Sequence, residues 1–155
     1  MAITVREADL GDPSDGAALV EILDSYAGGP EGQNAPLSAE ARAGLVEGLR
    51  AHPTALTLLA CADEAIVGAA VCVWGYSTFA ARPLLNVHDL AVLPAYRGQG
   101  VGRSLLAEAE RCARARGCCK LTLEVHASNE RAQRLYRGVG FGPWDEPTLF
   151  VSKPL

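Results

Sequence analysis

At 155 residues the chain has the size of one ordinary domain, enough to bury about two thirds of its unfolded surface around a single core. With 49% hydrophobic and 21% charged residues it has the make-up of a folded globular protein, which excludes a disordered chain. Its net charge of −4 is the wrong sign for a general nucleic-acid binder; it suits a cationic small substrate, or simply keeps the protein in solution.

The N-terminal run "MAITVREADL" carries Arg6, Glu7 and Asp9 where a secretory signal needs an apolar core. It reads as a first strand with Ile3 and Val5 inward. Asp12 or Ser14 is placed to cap a helix through Leu19, Ile22, Leu23 and Tyr26. The helix stops at "GGPEGQNAP", a loop of the composition that borders sites, or only a connector. Ser38 caps a second helix with Leu45, Val46 and Leu49 on one face, ending before Pro53. "TALTLLACAD" and "AIVGAAVCVWGYSTF" form a hairpin turning at Asp63-Glu64. Those two acids interrupt the longest apolar region, so it is not a membrane span, which needs about 20 apolar residues. A cytoplasmic protein is expected, with no membrane partner. Trp74, Tyr76 and Phe79 lie on the third strand and the loop after it, either lining an acceptor cleft or filling core.

Pro83 precedes a fourth strand, "LLNVHDLAV". Strict alternation puts His88, Leu90 and Val92 on one face and Asp89 on the other. A glycine-rich loop leads into a helix from about Gly100 to Arg116, with Val101, Leu105, Ala109 and Cys112 as its buried stripe and Gly117 as its stop. "CCKLTLEVHA" is a fifth strand, Asn129 opens the helix "NERAQRLYRG", and "LFVSKPL" is a last short strand. Strand–helix–strand order in this half implies a parallel pair with a crossover helix. The whole is one mixed α/β domain over residues 1–155, antiparallel in its first strands. Cys61, Cys72, Cys112, Cys118 and Cys119 contain no C-x-x-C pair, so no metal site is expected and a reducing compartment fits.

The loop "YRGQGVGRSLL" places Gly98, Gly100 and Gly102 at a helix entrance, where glycine is entropically costly. The first four N–H groups of a helix have no partner within it, and the macrodipole adds about half a positive charge. Bare amides there form an anion cradle, and Arg97 adds a fork of charged donors. A tight turn with close helix packing would account for one glycine of the three. A Walker A loop is excluded because Arg103 stands where its lysine belongs and Arg97 where its first glycine belongs. A dinucleotide fingerprint from Gly100 fails at Leu105.

This loop resembles the acetyl-CoA signature R/Q-x-x-G-x-G/A of the GNAT superfamily of N-acetyltransferases, with Arg97, Gly100 and Gly102 in the fixed slots. "NERAQRLYRGVGF" resembles the family's N-x-x-A-x-x-L-Y-x-x-x-G-F, matched by Asn129, Ala132, Leu135, Tyr136, Gly140 and Phe141. The resemblance covers about Asn86 to the C-terminus; the first half matches only in element order. It implies that the fourth and fifth strands splay apart to hold the pantetheine arm on backbone groups of Leu90, Ala91 and Val92. It further implies that amides of Gly98, Gln99, Gly100, Val101 and Gly102 hold the pyrophosphate, and that Asn129 contacts the cofactor while capping its helix.

The reaction implied is direct attack of an amine on the acetyl thioester. An alkyl amine has a pKa of about 10.4, so neutralising it at pH 7 costs about 4–5 kcal/mol, and the departing thiolate needs a proton. The family places its general acid at Tyr136, two helical turns after Asn129 on the same face. His88, Asp89, Glu124 or a water is the base; His88 occupies a slot where diamine and arylalkylamine acetyltransferases carry a His or Glu, and an imidazole pKa of about 6.5 suits the task. Asp89 or Tyr76 is otherwise a substrate contact. The expected protein is an acetyl-CoA-dependent acetyltransferase for a small-molecule amine. A protein N-acetyltransferase and a non-catalytic acyl-CoA sensor are the alternatives, and a homodimer is open.

Overall fold

Runs of apolar residues in the hairpin become the centre of the sheet because they are covered on both faces. In the computed structural model, which describes residues Met1–Leu155, strand β1 is Ile3–Glu7, β2 Ala55–Ala62, β3 Ala65–Ser77, β4 Arg82–Val92 and β5 Leu121–Leu123. They lie in the order β1-β2-β3-β4-β5, antiparallel except for the parallel β4–β5 pair. Alternation sends neighbouring residues to opposite cores. Leu58, Ala70 and Cys72 pack beneath helix α3 (Val101–Ala115), while Leu59, Ala69 and Val71 pack with Leu19 and Ile22 of α1 (Pro13–Gly28). Helix α2 (Ala39–Ala51) buries no residue, and α4 (Glu130–Gly138) buries Tyr136. No helix is long and apolar enough to cross a membrane.

Caps fall where short polar side chains precede the helical pattern. Asp12, and not Ser14, caps α1, accepting from the Ser14 N–H at 2.8 Å. Ser38 caps α2 through its hydroxyl, 3.1 Å from the Ala41 N–H. The α1 start is tied to β1 by Asp15, whose side chain is 2% exposed. Its carboxylate accepts from both Arg6 terminal nitrogens, at 2.6 and 2.7 Å, and from the Asp9 N–H at 2.8 Å. Arg6 holds that carboxyl below the usual range.

Four expectations are corrected. β4 bulges: Asp89 pairs with Val71 and Val87 with Cys72, leaving His88 unpaired. Val87 and Leu90 therefore share one core although three residues apart, and His88 is not on the Leu90–Val92 face by simple alternation. The fifth strand keeps only Leu121–Leu123 of the expected ten residues, because its sole partner is Leu85–Val87, before the bulge. "LFVSKPL" is no strand; Leu149, Phe150 and Val151 are exposed and pair with none of the five strands, so their apolar surface is not buried against the sheet. In α3 the buried row is Val101, Leu105, Ala109 and Ala113, spaced by four, with Cys112 only half-buried at its flank.

Candidate active site

The bulge and the short β5 together open the sheet. The outer edge of β4 pairs with β5 at Leu85, Asn86 and Val87, and has no strand beside it from His88 onward. The Asn86 amide donates to the Thr122 hydroxyl at 3.0 Å, holding the middle rung. Past this point a cavity of about 310 Å³ lies between β4, the start of α3, α4 and the end of α1. Its floor is Leu90, Ala91 and Val92. One wall carries Arg97, Gly98, Gly100, Val101 and Gly102, and the facing wall carries Asn129 and Tyr136. A larger groove of about 770 Å³, between α3, β5 and the segment after α4, gathers none of the expected site residues.

The glycine loop has three glycines for two different reasons. Gly98 (φ +73°) and Gly100 (φ +88°) adopt left-handed backbone; a Cβ on Gly98 would meet nothing within 4 Å, and one on Gly100 only the Ile3 side chain at that limit. Gly102 is different: its Cβ would stand 3.0 Å from Leu135, so it lets α4 approach α3. Backbone amides from Gly98 to Arg103 find no acceptor in the protein, and the first bond of the turn is Ser104 N–H to the Gly100 carbonyl at 3.0 Å. A run of unbonded amides at a helix start is an anion site. Arg97 is partly committed, because its Nε donates to the Val92 carbonyl at 3.0 Å. That bond fixes the side chain and leaves its terminal nitrogens free.

Tyr136 is 8% exposed, stacks edge-on against Phe141 at 5.8 Å, and its hydroxyl makes no hydrogen bond to protein. Burial, with Tyr26 nearby, pushes its phenol up to about 12. Asn129 caps α4, its Oδ1 accepting from the Ala132 N–H at 3.1 Å, and also lines the cavity.

The remaining candidates lie outside the lining. Gln99 is exposed beside it, with its amide on the Ala95 carbonyl at 2.9 Å. His88 is exposed at the bulge and Glu124 is exposed after β5. Asp89 is half-buried, and burial raises its carboxyl while His88 opposes the rise. Tyr76 is 63% exposed, opposite Pro83. Ala70, the partner of Leu90, lies six positions earlier on β3, so Tyr76 is about 20 Å from the floor at ~3.3 Å per residue. Trp74 stacks under Arg116 and Phe79 is fully exposed, so neither lines the cavity.

Sequence reasoning missed Tyr26, Glu31, Arg103 and Arg131, all in the lining. Arg103 and Arg131 lie just after Gly102 and Asn129, where helical geometry could have placed them. Tyr26 passed as an ordinary apolar position of α1. Nothing in the local pattern points Glu31 at the site.

The α/β domain has a split strand pair, bare amides at the crossover helix and a buried tyrosine on the facing wall. Residues 18–141 match the Acetyltransferase (GNAT) family, and the chain belongs to that family. A bovine (Bos taurus) thialysine N-epsilon-acetyltransferase is 36% identical over 75 residues, 48% of this chain and 44% of that protein. The chain thus spans less than half the length of this curated relative. Among solved structures, an aminoglycoside acetyltransferase from an uncultured soil metagenomic sample superposes with a TM-score of 0.81 at 16% identity, covering 99% of this chain and 97% of that one. A ribosomal-protein-alanine N-acetyltransferase from Brucella melitensis biovar Abortus 2308 gives 0.76 at 20% identity, covering 98% and 100%. At these identities the structures share the fold.

Proposed function

We propose that this protein transfers the acetyl group of acetyl-CoA to a primary amine of a small molecule. The observation that carries the reading is the run of unbonded amides from Gly98 to Arg103 in the wall of a cavity that also holds the unpartnered Tyr136 hydroxyl. These residues fit a diphosphate-bearing thioester. Amides of Gly98, Gln99, Gly100, Val101 and Gly102 would take the diphosphate, with Arg97, Arg103 and Arg131 supplying cations around it. Main-chain groups of Leu90, Ala91 and Val92, on the unpaired edge of β4, would hold the amide-bearing arm as an added strand does. Asn129 contributes its side-chain amide nitrogen, which the cap leaves free.

Bound there, acetyl-CoA supplies an acyl carbon already activated as a thioester. The chain's own part is positioning and proton handling. Tyr136 keeps its proton at Oη throughout the neutral range, so it is a donor for a sulfur that gains charge. His88, exposed beside Asp89 at the bulge and outside the lining, would take the amine's proton by way of solvent.

Titration calorimetry with acetyl-CoA, followed by thiol release over amines and peptides, tests the reading. Binding, with release driven by small amines, supports it. No heat of binding ends it, and release with peptides alone ends the small-molecule part.

A further inference from the structure

The cavity is electrically divided. Arg97, Arg103 and Arg131 come from the α3 and α4 side, whereas Glu31, from the α1–α2 loop, is the one acidic residue in its lining. Glu31 is half-buried, takes part in no ion pair, and its carboxylate accepts no hydrogen bond. Asp89 is also half-buried without an ion-pair partner. The carboxylates buried elsewhere are matched: Asp15 by Arg6, Asp24 by Arg42, Glu108 by Arg111. Two unmatched carboxylates therefore flank Tyr26, whose phenol is raised by burial and then by Asp89 and Glu31. Tyr26, Glu31 and Tyr136 line the one cavity, so Glu31 stands in the cavity where the reaction would occur.

The loop that carries Glu31 is wound onto the end of α1. Gln33 and Ala35 both donate to the Ala27 carbonyl, at 2.9 and 3.3 Å, and Leu37 N–H donates to Asp24 at 2.9 Å. The Tyr26 hydroxyl donates to the Glu31 carbonyl at 3.2 Å. A Cβ on Gly32 would run into the Tyr26 carbonyl, so this close winding requires glycine there. Glu31 is thus held at the cavity by a fixed backbone.

Resting on the acetyl-transfer reading, we propose that Glu31 selects acceptors carrying a second positive charge beyond the reacting amine. An unpaired, half-dehydrated carboxylate gains from a cationic tail, is left wanting by a neutral one and repels an anionic one. The class is therefore diamines and related polycations, with Asp89 reinforcing the field from β4.

The test compares kcat/KM for a diaminoalkane, an alkyl monoamine and an ω-amino acid of equal chain length, in wild type, Glu31→Gln, Glu31→Asp and Glu31→Lys, with calorimetry of acetyl-CoA on each. The wild type should prefer diamine to monoamine by about tenfold or more, the scale of one partly screened ion pair. Glu31→Gln should collapse that ratio through KM with kcat nearly kept, Glu31→Asp should restore part of it, and Glu31→Lys should shift preference to the amino acid. Intact acetyl-CoA binding with no diamine preference in the wild type overturns the proposal. So does an equal loss for all three amines in Glu31→Gln. Absence of acetyl-CoA binding in the wild type instead removes the acetyl-transfer reading beneath it.

Discussion

The α3–α4 side of the cavity takes its wall mainly from two short stretches, Arg97–Arg103 and Asn129–Tyr136, whereas the α1 side takes Tyr26 from a helix and Glu31 from a loop far earlier in the chain. On the first side each function follows from local geometry: a helix start, two left-handed glycines, a tyrosine two turns after a cap. On the second side the residues have no shared motif, and only the packing of α1 across β4 and the winding of the following loop bring them in. The half proposed to bind the anion is thus written into contiguous sequence, and the half proposed to take the acceptor is assembled from positions that share no motif.

That contrast can be broken most sharply at Tyr136. Tyr136→Phe should lower kcat about 100-fold or more while acetyl-CoA affinity holds, as steady-state kinetics beside calorimetry would reveal. In the parent, kcat should not fall through loss of the phenol proton until pH approaches about 12, because burial suppresses ionisation. A falling limb near pH 8 that Phe abolishes would contradict this assignment.

Core substitution should not discriminate between the two sides. Leu105 is fully buried, and Leu105→Ala should cost about 2–5 kcal/mol in urea unfolding, with catalysis per folded molecule largely kept.

Gly100→Ala should act on the anion side alone. A non-glycine residue at φ +88° is strained by about 1–2 kcal/mol, and the loop amides would be displaced. Acetyl-CoA affinity should drop about tenfold with the diamine-to-monoamine preference intact; a changed preference would mean that the two halves are coupled.

Away from the cavity, pH should act on Asp15. Its folded pKa lies below the unfolded value of about 3.9, so its contribution is present above that value and disappears as pH falls through the folded pKa. Asp15→Asn should cost about 1–3 kcal/mol at neutral pH and flatten the acid limb of the stability curve below about pH 4. An unchanged acid limb would place the tie between β1 and α1 elsewhere.

Much of the fold was legible because alternation and capping act over a few residues. The hairpin, the Ser38 cap, the α3 entrance and the Asn129 cap all follow from neighbours in sequence. Strand endings were not legible. β5 stops at Leu123 because its partner bulges at His88, and a bulge depends on pairing with Val71 and Cys72 across the sheet. The tail "LFVSKPL" opens on an apolar run that reads as a strand, yet it pairs with none of the five strands. The same limit governed the site: the glycine loop and Tyr136 fall in the cavity, while Tyr76 falls far from it and Glu31 enters unannounced.

What this sequence determines unaided is the glycine loop of the proposed anion site, since backbone conformation at Gly98 and Gly100 and the unbonded amides around them are properties of adjacent residues. Only the tertiary structure decides where β4 parts from β5 and which carboxylates stand unmatched near Tyr136. Both depend on partners distant in the chain, whose meeting is a matter of packing and not of local pattern.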